Sequence, residues 1–254
     1  MEMILIGSVT LLASLLTFFS GFGLGTLLMP IVGIFFPLPI AIAITAIVHF
    51  LNNTLKFALL AKNNDINILV KFGIPAVVFS FLGAWCLNYL TALSLSFSYS
   101  FLGLPLTITP LKMTIGVLII FFLFLELNPS ISIPSYLKKL WIGGSLSGFF
   151  GGISGHQGAF RSLFLSQNNL SKEAFLATGV SIAMLVDISR LSVYTTHWEV
   201  TLLQWKLILV AILSAFIGTL IGKFYLKKVN MKFIQNIVTW MLGSLALLLI
   251  VGVL

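Results

Sequence analysis

Residues 3–36 carry no charged side chain. Drawn as one helix they would be about 50 Å long, well beyond the roughly 30 Å hydrocarbon core of a bilayer. The run is broken by Ser20-Gly21-Phe22-Gly23-Leu24-Gly25, where three glycines in five residues are too dense for a straight helix. A second long apolar region, residues 140–167, is broken likewise by Gly151-Gly152-Ile153-Ser154-Gly155-His156-Gln157-Gly158. Broken backbone in lipid leaves N–H and C=O groups unpaired, so it is tolerated only inside protein or against a water-filled cavity.

The rest of the chain places these regions in a membrane. Only 8% of the 254 residues are charged, 59% are hydrophobic, and the mean hydropathy is +1.14. So few polar side chains cannot coat a water-soluble domain, which typically has about 25% charged residues. Disorder, collagen and coiled coil are excluded too, because each needs polar or strictly periodic sequence. The net charge of +8 does not point to nucleic acid, since no basic run is long enough to track phosphates. Met1-Glu2-Met3 lacks the basic start of a secretory signal, so the N-terminus is expected to be retained. The single cysteine, Cys86, lies in an apolar span, and no cofactor or metal is expected.

Further apolar spans run over 39–61, 68–91, 107–126, 173–195, 205–225 and 233–253. Charge counting then asks how the two broken regions run. If each crosses once, Lys56, Lys62, Lys71, Lys138, Lys139, Arg190 and Lys206 face Lys112, Arg161, Lys172, Lys223, Lys227, Lys228 and Lys232, seven against seven. If each doubles back, only Lys112, Arg190 and Lys206 remain on one side, and the count becomes eleven against three. The second arrangement fits the excess of Lys and Arg on the cytoplasmic side. It gives ten membrane segments with both termini extracytoplasmic, in a cytoplasmic (inner) membrane of bacterial type. The pieces after the glycines are short, as half-helices that stop near the midplane would be.

The two halves are alike. At an offset of 134, Ser20-Gly21 matches Ser154-Gly155, and Asn53-x-x-Lys56 matches Asp187-x-x-Arg190. At 135, Phe81-Leu82-Gly83 matches Phe216-Ile217-Gly218. Five segments per half is odd, so the second repeat must be inverted relative to the first. The expected fold is an all-α polytopic membrane protein, one domain over 1–254, with repeats at 1–127 and 138–254. Each repeat opens with a glycine-broken helical hairpin, as in many secondary transporters.

The half-helix after each break points its N-terminus at the break, where free N–H groups and the positive dipole end suit an anion. Candidate anion-binding residues are Ser20, Gly21, Gly23, Gly25 and Asn53 in the first half, with Ser154, Gly155, His156, Gln157, Gly158 and Arg161 in the second. The spacing also allows helix packing, through Gly21-x-x-x-Gly25, Gly144-x-x-x-Gly148, Gly148-x-x-x-Gly152 and Gly151-x-x-x-Gly155. For Gly144 and Gly148 the two readings weigh equally. For Gly21–Gly25 and Gly151–Gly158 the site is favoured. Arg161 can hold an anion or snorkel to the lipid face. Asp187 and Arg190 share a helix face and read as an intramembrane ion pair or, if Asp187 titrates, as a proton-coupling element. Asn53 and Lys56 are the first-half counterpart. His49 is a core histidine or a proton relay. Glu126 reads as an interface residue, and Trp141, Trp198 and Trp205 as interfacial aromatics.

Gly21-Phe22-Gly23-Leu24-Gly25 followed by Pro30, with Ala43 to Asn53 on the next helix, resembles the sulfite exporter TauE/SafE family. So does Ser147-Gly148-Phe149-Phe150-Gly151-Gly152 leading into Ser154-Gly155. The resemblance covers nearly the whole chain and implies a multi-pass permease for small sulfur-containing or other organic anions. Where that family commonly has a further glycine-rich stretch ending in proline, this chain has His156-Gln157-Gly158-Ala159-Phe160-Arg161. The departure falls at the expected site and leaves the substrate open.

Three functions remain in view. The first is a secondary transporter exporting a small anion, such as sulfite or a sulfonate, by alternating access. The second is an anion channel, and the third an intramembrane enzyme built on a Ser154–His156 dyad. The enzyme lacks His-x-x-x-His, HExxH or Gly-x-Ser-x-Gly spacing. Partners are the anion and the bilayer, and a homo-oligomer is compatible with the sequence.

Overall fold

The structure is a computed structural model that describes residues 2–20, 24–101, 103–128, 139–225 and 231–254. The first half contains α1 (Glu2–Ser20), α2 (Leu24–Phe35), α3 (Leu38–Leu60), α4 (Ile66–Ala92) and α5 (Pro110–Leu127). The second contains α6 (Leu140–Ser154), α7 (Gly158–Leu165), α8 (Lys172–Val193), the short α9 (Trp198–Leu203), α10 (Trp205–Tyr225) and α11 (Met231–Val251). Among the described residues, four helices are long and apolar enough to cross a membrane: Leu38–Asn63, Ile66–Ala92, Lys172–Val193 and Trp205–Phe224. Large apolar side chains such as Ile74, Trp85, Phe124 and Trp240 stand exposed on the outer surface. That surface is unfavourable in water and natural against lipid tails.

One expectation fails. The stretch from 107 does not begin a helix. Phe97–Phe101 (β1) and Leu104–Ile108 (β2) form an antiparallel hairpin, and α5 starts at Pro110 behind a Thr109 cap. Gly103 turns the hairpin at φ +80, a conformation glycine adopts without strain. Proline at the first helical position and a hydroxyl accepting from Lys112 N then set the helix start.

The second broken region doubles back. Gly143 near the start of α6 has its open side against the Phe164 ring near the end of α7. Halfway up, Ser147 Oγ donates to Gln157 O at 2.9 Å. A proper helix stop makes the reversal: Gly155 takes φ +79 and its N–H donates to Gly151 O. In the first half, α2 runs antiparallel to α3, so that Gly25 reaches Thr45 and His49 at the middle of that helix.

Packing partners are exchanged between the halves. A Cβ on Gly144, Gly148 or Gly152 of α6 would sit 2.1, 2.1 or 2.3 Å from the carbonyl oxygens of Phe72, Ala76 and Ser80 on α4. These glycines therefore serve backbone-to-backbone approach. Gly152, which the sequence placed in the 151–158 site stretch, makes this packing contact as well. Reciprocally, α1 lies on α10, and a Cβ on Gly218 would meet Leu11 O at 2.3 Å. Its sequence counterpart Gly83 faces Phe149 O on α6 in the same way. Between these pairs, α3 and α8 cross at the centre of the molecule.

Candidate functional site

Asp187 of α8 is fully buried at that crossing and is the convergence point of both halves. His49 Nδ1 on α3 lies 2.7 Å from its Oδ2, and Asn53 Nδ2, one turn along, donates to the same oxygen at 3.2 Å. The other oxygen, Oδ1, accepts from Arg190 Nε at 3.0 Å and Gln157 Nε2 at 3.2 Å, and is 2.8 Å from Arg190 Nη2. Arg161 Nη1 extends the network by donating to Gln157 Oε1 at 3.2 Å. A buried carboxylate is costly unless its lone pairs are occupied. Here four side chains from α3, the α6–α7 break and α8 occupy them.

Both half-helix starts meet at this contact. Gly25, the second residue of α2, lies beside the His49 ring, 3.7 Å from Cδ2 measured at its Cβ position. Gln157, immediately before α7, binds Asp187 itself. Gly155 faces the far side of Arg190, whose Nη1 is 2.8 Å from where a Cβ would be. Among the described residues that Nη1 has no hydrogen-bond partner, and neither does the buried His156 Nε2. The His156 ring is fixed by stacking on Phe122 and by Nδ1, which donates to Ser154 O at 3.0 Å. Two such unsatisfied polar atoms at one backbone break mark a candidate place for a ligand, because buried polar groups are otherwise paired.

The sequence expectations resolve unevenly. His49, Asn53, Gln157, Arg161, Asp187 and Arg190 are brought together in one network. Gly155 and His156 border it, and Gly158 opens α7 beside it. Gly21 and Gly23 lie outside the described residues, as do the side chains of Ser20 and Glu126. Arg161 is buried at 8% exposure, so it does not snorkel to lipid. Ser154 does not form a dyad with His156. Its hydroxyl donates to Phe150 O at 3.0 Å, and the imidazole faces the Ser154 backbone carbonyl instead. Asn53 bonds Asp187 in the other half, not a charge of its own helix as its counterpart does. Trp141, Trp198 and Trp205 are exposed.

Several polar residues were not anticipated. Tyr194 donates to Gly152 O and lies beside Arg190. Ser14 donates to Ala215 O at 2.6 Å, and Thr219 donates to Asn52 Oδ1 at 2.7 Å, tying α1, α3 and α10 together. The sequence signal available for Asn52 was a buried stripe at helical spacing, Thr45, His49 and Asn52.

The sequence profile described as Sulfite exporter TauE/SafE matches residues 6–249. The chain belongs to the sulfite exporter TauE/SafE family. It is therefore an integral membrane protein of a transporter family, and the resemblance read from its glycine motifs holds over nearly its whole length. No curated protein and no solved structure matches the chain.

Proposed function

We propose that this TauE/SafE-family protein is a secondary transporter that exports a small sulfur-containing anion by alternating access. The observation that carries this reading is the convergence of both half-helix starts on the His49–Asp187 contact, with Arg190 Nη1 and His156 Nε2 at the second break unpartnered among the described residues. The anion would sit there, on Arg190 and the backbone N–H groups that open α7. His156 Nε2 can accept a hydrogen bond from a protonated oxyanion or donate once the ring carries a second proton. Gln157 and Arg161 hold the floor of the site.

Asp187 is the competitor of that anion. Its carboxylate takes the Nε edge of Arg190 and the amide of Gln157, so neutralising it frees both donors. Proton binding at Asp187 and anion binding at Arg190 thus favour one another. A bound species that keeps net negative charge is driven outward by an inside-negative potential. Because His49 and Asp187 belong to different halves, making and breaking their contact couples occupancy to the relative position of the halves.

The topology belongs to the same proposal. The doubling back of α6–α7 and the exchanged packing of α1 on α10 and α6 on α4 support two inverted repeats of five segments. Both termini are then extracytoplasmic. The test is flux: purified protein in liposomes is expected to move at least one of sulfite, sulfoacetate and thiosulfate. Movement of none of them, with or without a gradient, would contradict the proposal.

A further inference from the structure

The anion site does not involve the ends of α2, α4 and α11. A cavity of about 400 Å³ lies where the α2–α3 turn, the end of α4, the start of α5 and the end of α11 meet. Pro37, Leu93, Leu111 and Leu249 are among its walls, and Lys112 is the one charged side chain in its lining. Pro37 is exposed and Lys112 half-buried, so the cavity reaches the surface. Gly33 forms part of the wall and has nothing within 4 Å of its Cβ position, so that point of the wall has free volume. Lys112 Nζ donates to Thr107 O of β2 at 2.8 Å. An ammonium carries three donors, so two remain. Among the described residues the ion pairs are His49–Asp187 and Asp187–Arg190, and Lys112 belongs to neither.

A second recess, of about 330 Å³, adjoins the first and shares Leu245 and Leu254 with it. It lies between α2 and α11, lined by Pro30, Ile34, Trp240 and Leu248, and carries no charged side chain. Ile34 and Trp240 are 54% and 78% exposed, so this recess faces the membrane. From Trp240 to the end of α11 at Val251 the helix rises about 16 Å. That is close to the roughly 15 Å of hydrocarbon in one leaflet. A cation at one end and an apolar trough about one leaflet long suit an anionic amphiphile. A small hydrophilic anion would use Lys112 and gain nothing from the leucine walls. A neutral lipid would use the walls and leave the ammonium without a counter-charge.

We infer that the two recesses form a binding site for one anionic phospholipid, with its phosphate on Lys112 and an acyl chain between α2 and α11 past Ile34 and Trp240. Thr107 N donates to Gly252 O at 3.2 Å, so the strand that holds Lys112 is itself fixed to the end of α11, the helix that lines both recesses. In the proposed topology the lipid belongs to the extracytoplasmic leaflet. The site itself is independent of the transport reading.

Native mass spectra of the detergent-solubilised protein test this without any transported substrate. Dioleoylphosphatidylglycerol and dioleoylphosphatidylcholine are titrated separately, so that the acyl chains match and the net headgroup charge differs. The anionic lipid is expected to bind roughly fivefold tighter, the worth of one lysine beside an anionic headgroup. Lys112→Gln should erase that preference and Lys112→Arg should keep it. Lys206→Gln, at an exposed lysine outside both recesses, should keep it too. Gly33→Leu, which fills the cavity and leaves the ammonium in place, should weaken binding of both lipids. Equal affinity of the wild type for the two lipids would overturn the proposal. So would a preference lost as fully in Lys206→Gln as in Lys112→Gln, or binding of both lipids unchanged in Gly33→Leu. Displacement of the anionic lipid by millimolar glycerol phosphate would make a soluble anion the occupant and overturn it. A lipid-free dimer that excludes the lipid would make a second copy of the chain the occupant, and would overturn it as well.

Discussion

His49 Nδ1 lies 2.7 Å from Asp187 Oδ2 across 138 residues of chain, and this contact joins the central helix of one half to that of the other. Both side chains are nearly inaccessible, at 3% and 0% exposure. Removing one partner of such a pair leaves the other buried and uncompensated, at about 3–5 kcal/mol. Asp187→Ala is therefore expected to lower the thermal midpoint of the detergent-solubilised protein by many degrees. Asp187→Asn, which keeps the shape and one of the two acceptor oxygens, should cost less than Asp187→Ala. Equal midpoints for Asp187→Ala and wild type would remove the hub role.

Gly155 combines a left-handed backbone with the closest approach of Arg190. Gly155→Ala would strain the turn by about 1–2 kcal/mol and push the guanidinium away from the break. Anion flux is expected to fall at least as much as stability does. A variant with the lowered midpoint and unimpaired flux would show that the break does not position Arg190.

Glycines differ in what they do, and the contrast is measurable. Gly148→Leu would drive a side chain into Ala76 O, already 2.1 Å from a bare Cβ, and is expected to abolish the folded peak in size-exclusion chromatography. Gly33→Ala meets nothing within 4 Å and should leave the profile unchanged or improved.

Topology separates the folded-back arrangement from a single crossing. With Cys86 replaced, Lys139→Cys and Lys172→Cys are expected to react with an impermeant thiol reagent from the same side of the membrane. Ser98→Cys on the β-hairpin should react from the other. Labelling of positions 139 and 172 from opposite sides would mean that residues 140–167 cross once.

Much of this was legible in the sequence. The glycine-rich interruptions, most segment ends and the Asp187–Arg190 pair follow from local spacing, while Asn53 matched Asp187 at an offset of 134 only as a likeness between the halves. That His49 and Asn53 would both turn to Asp187 was not legible, because a contact between α3 and α8 depends on how the halves cross. The hairpin at 97–108 was missed for another reason. Its residues are apolar enough to extend the next span, and the alternation Phe97-Ser98-Tyr99-Ser100-Phe101 before Gly103 was the signal that competed. Among the described residues the buried hydroxyls of Thr17 and Thr45 have no partner, and no sequence signature marks them, since a helix threonine ordinarily bonds its own backbone.

In the proposed transporter, Asp187 governs an anion held on Arg190 at the second break. Its most direct measurement compares wild type and Asp187→Asn in liposomes, scoring sulfite flux driven by a pH gradient against sulfite counterflow without one. Gradient-driven flux is expected to be lost in the variant while counterflow remains. Equal loss of both, accompanied by poor expression, would contradict it and leave Asp187 as a structural ion pair.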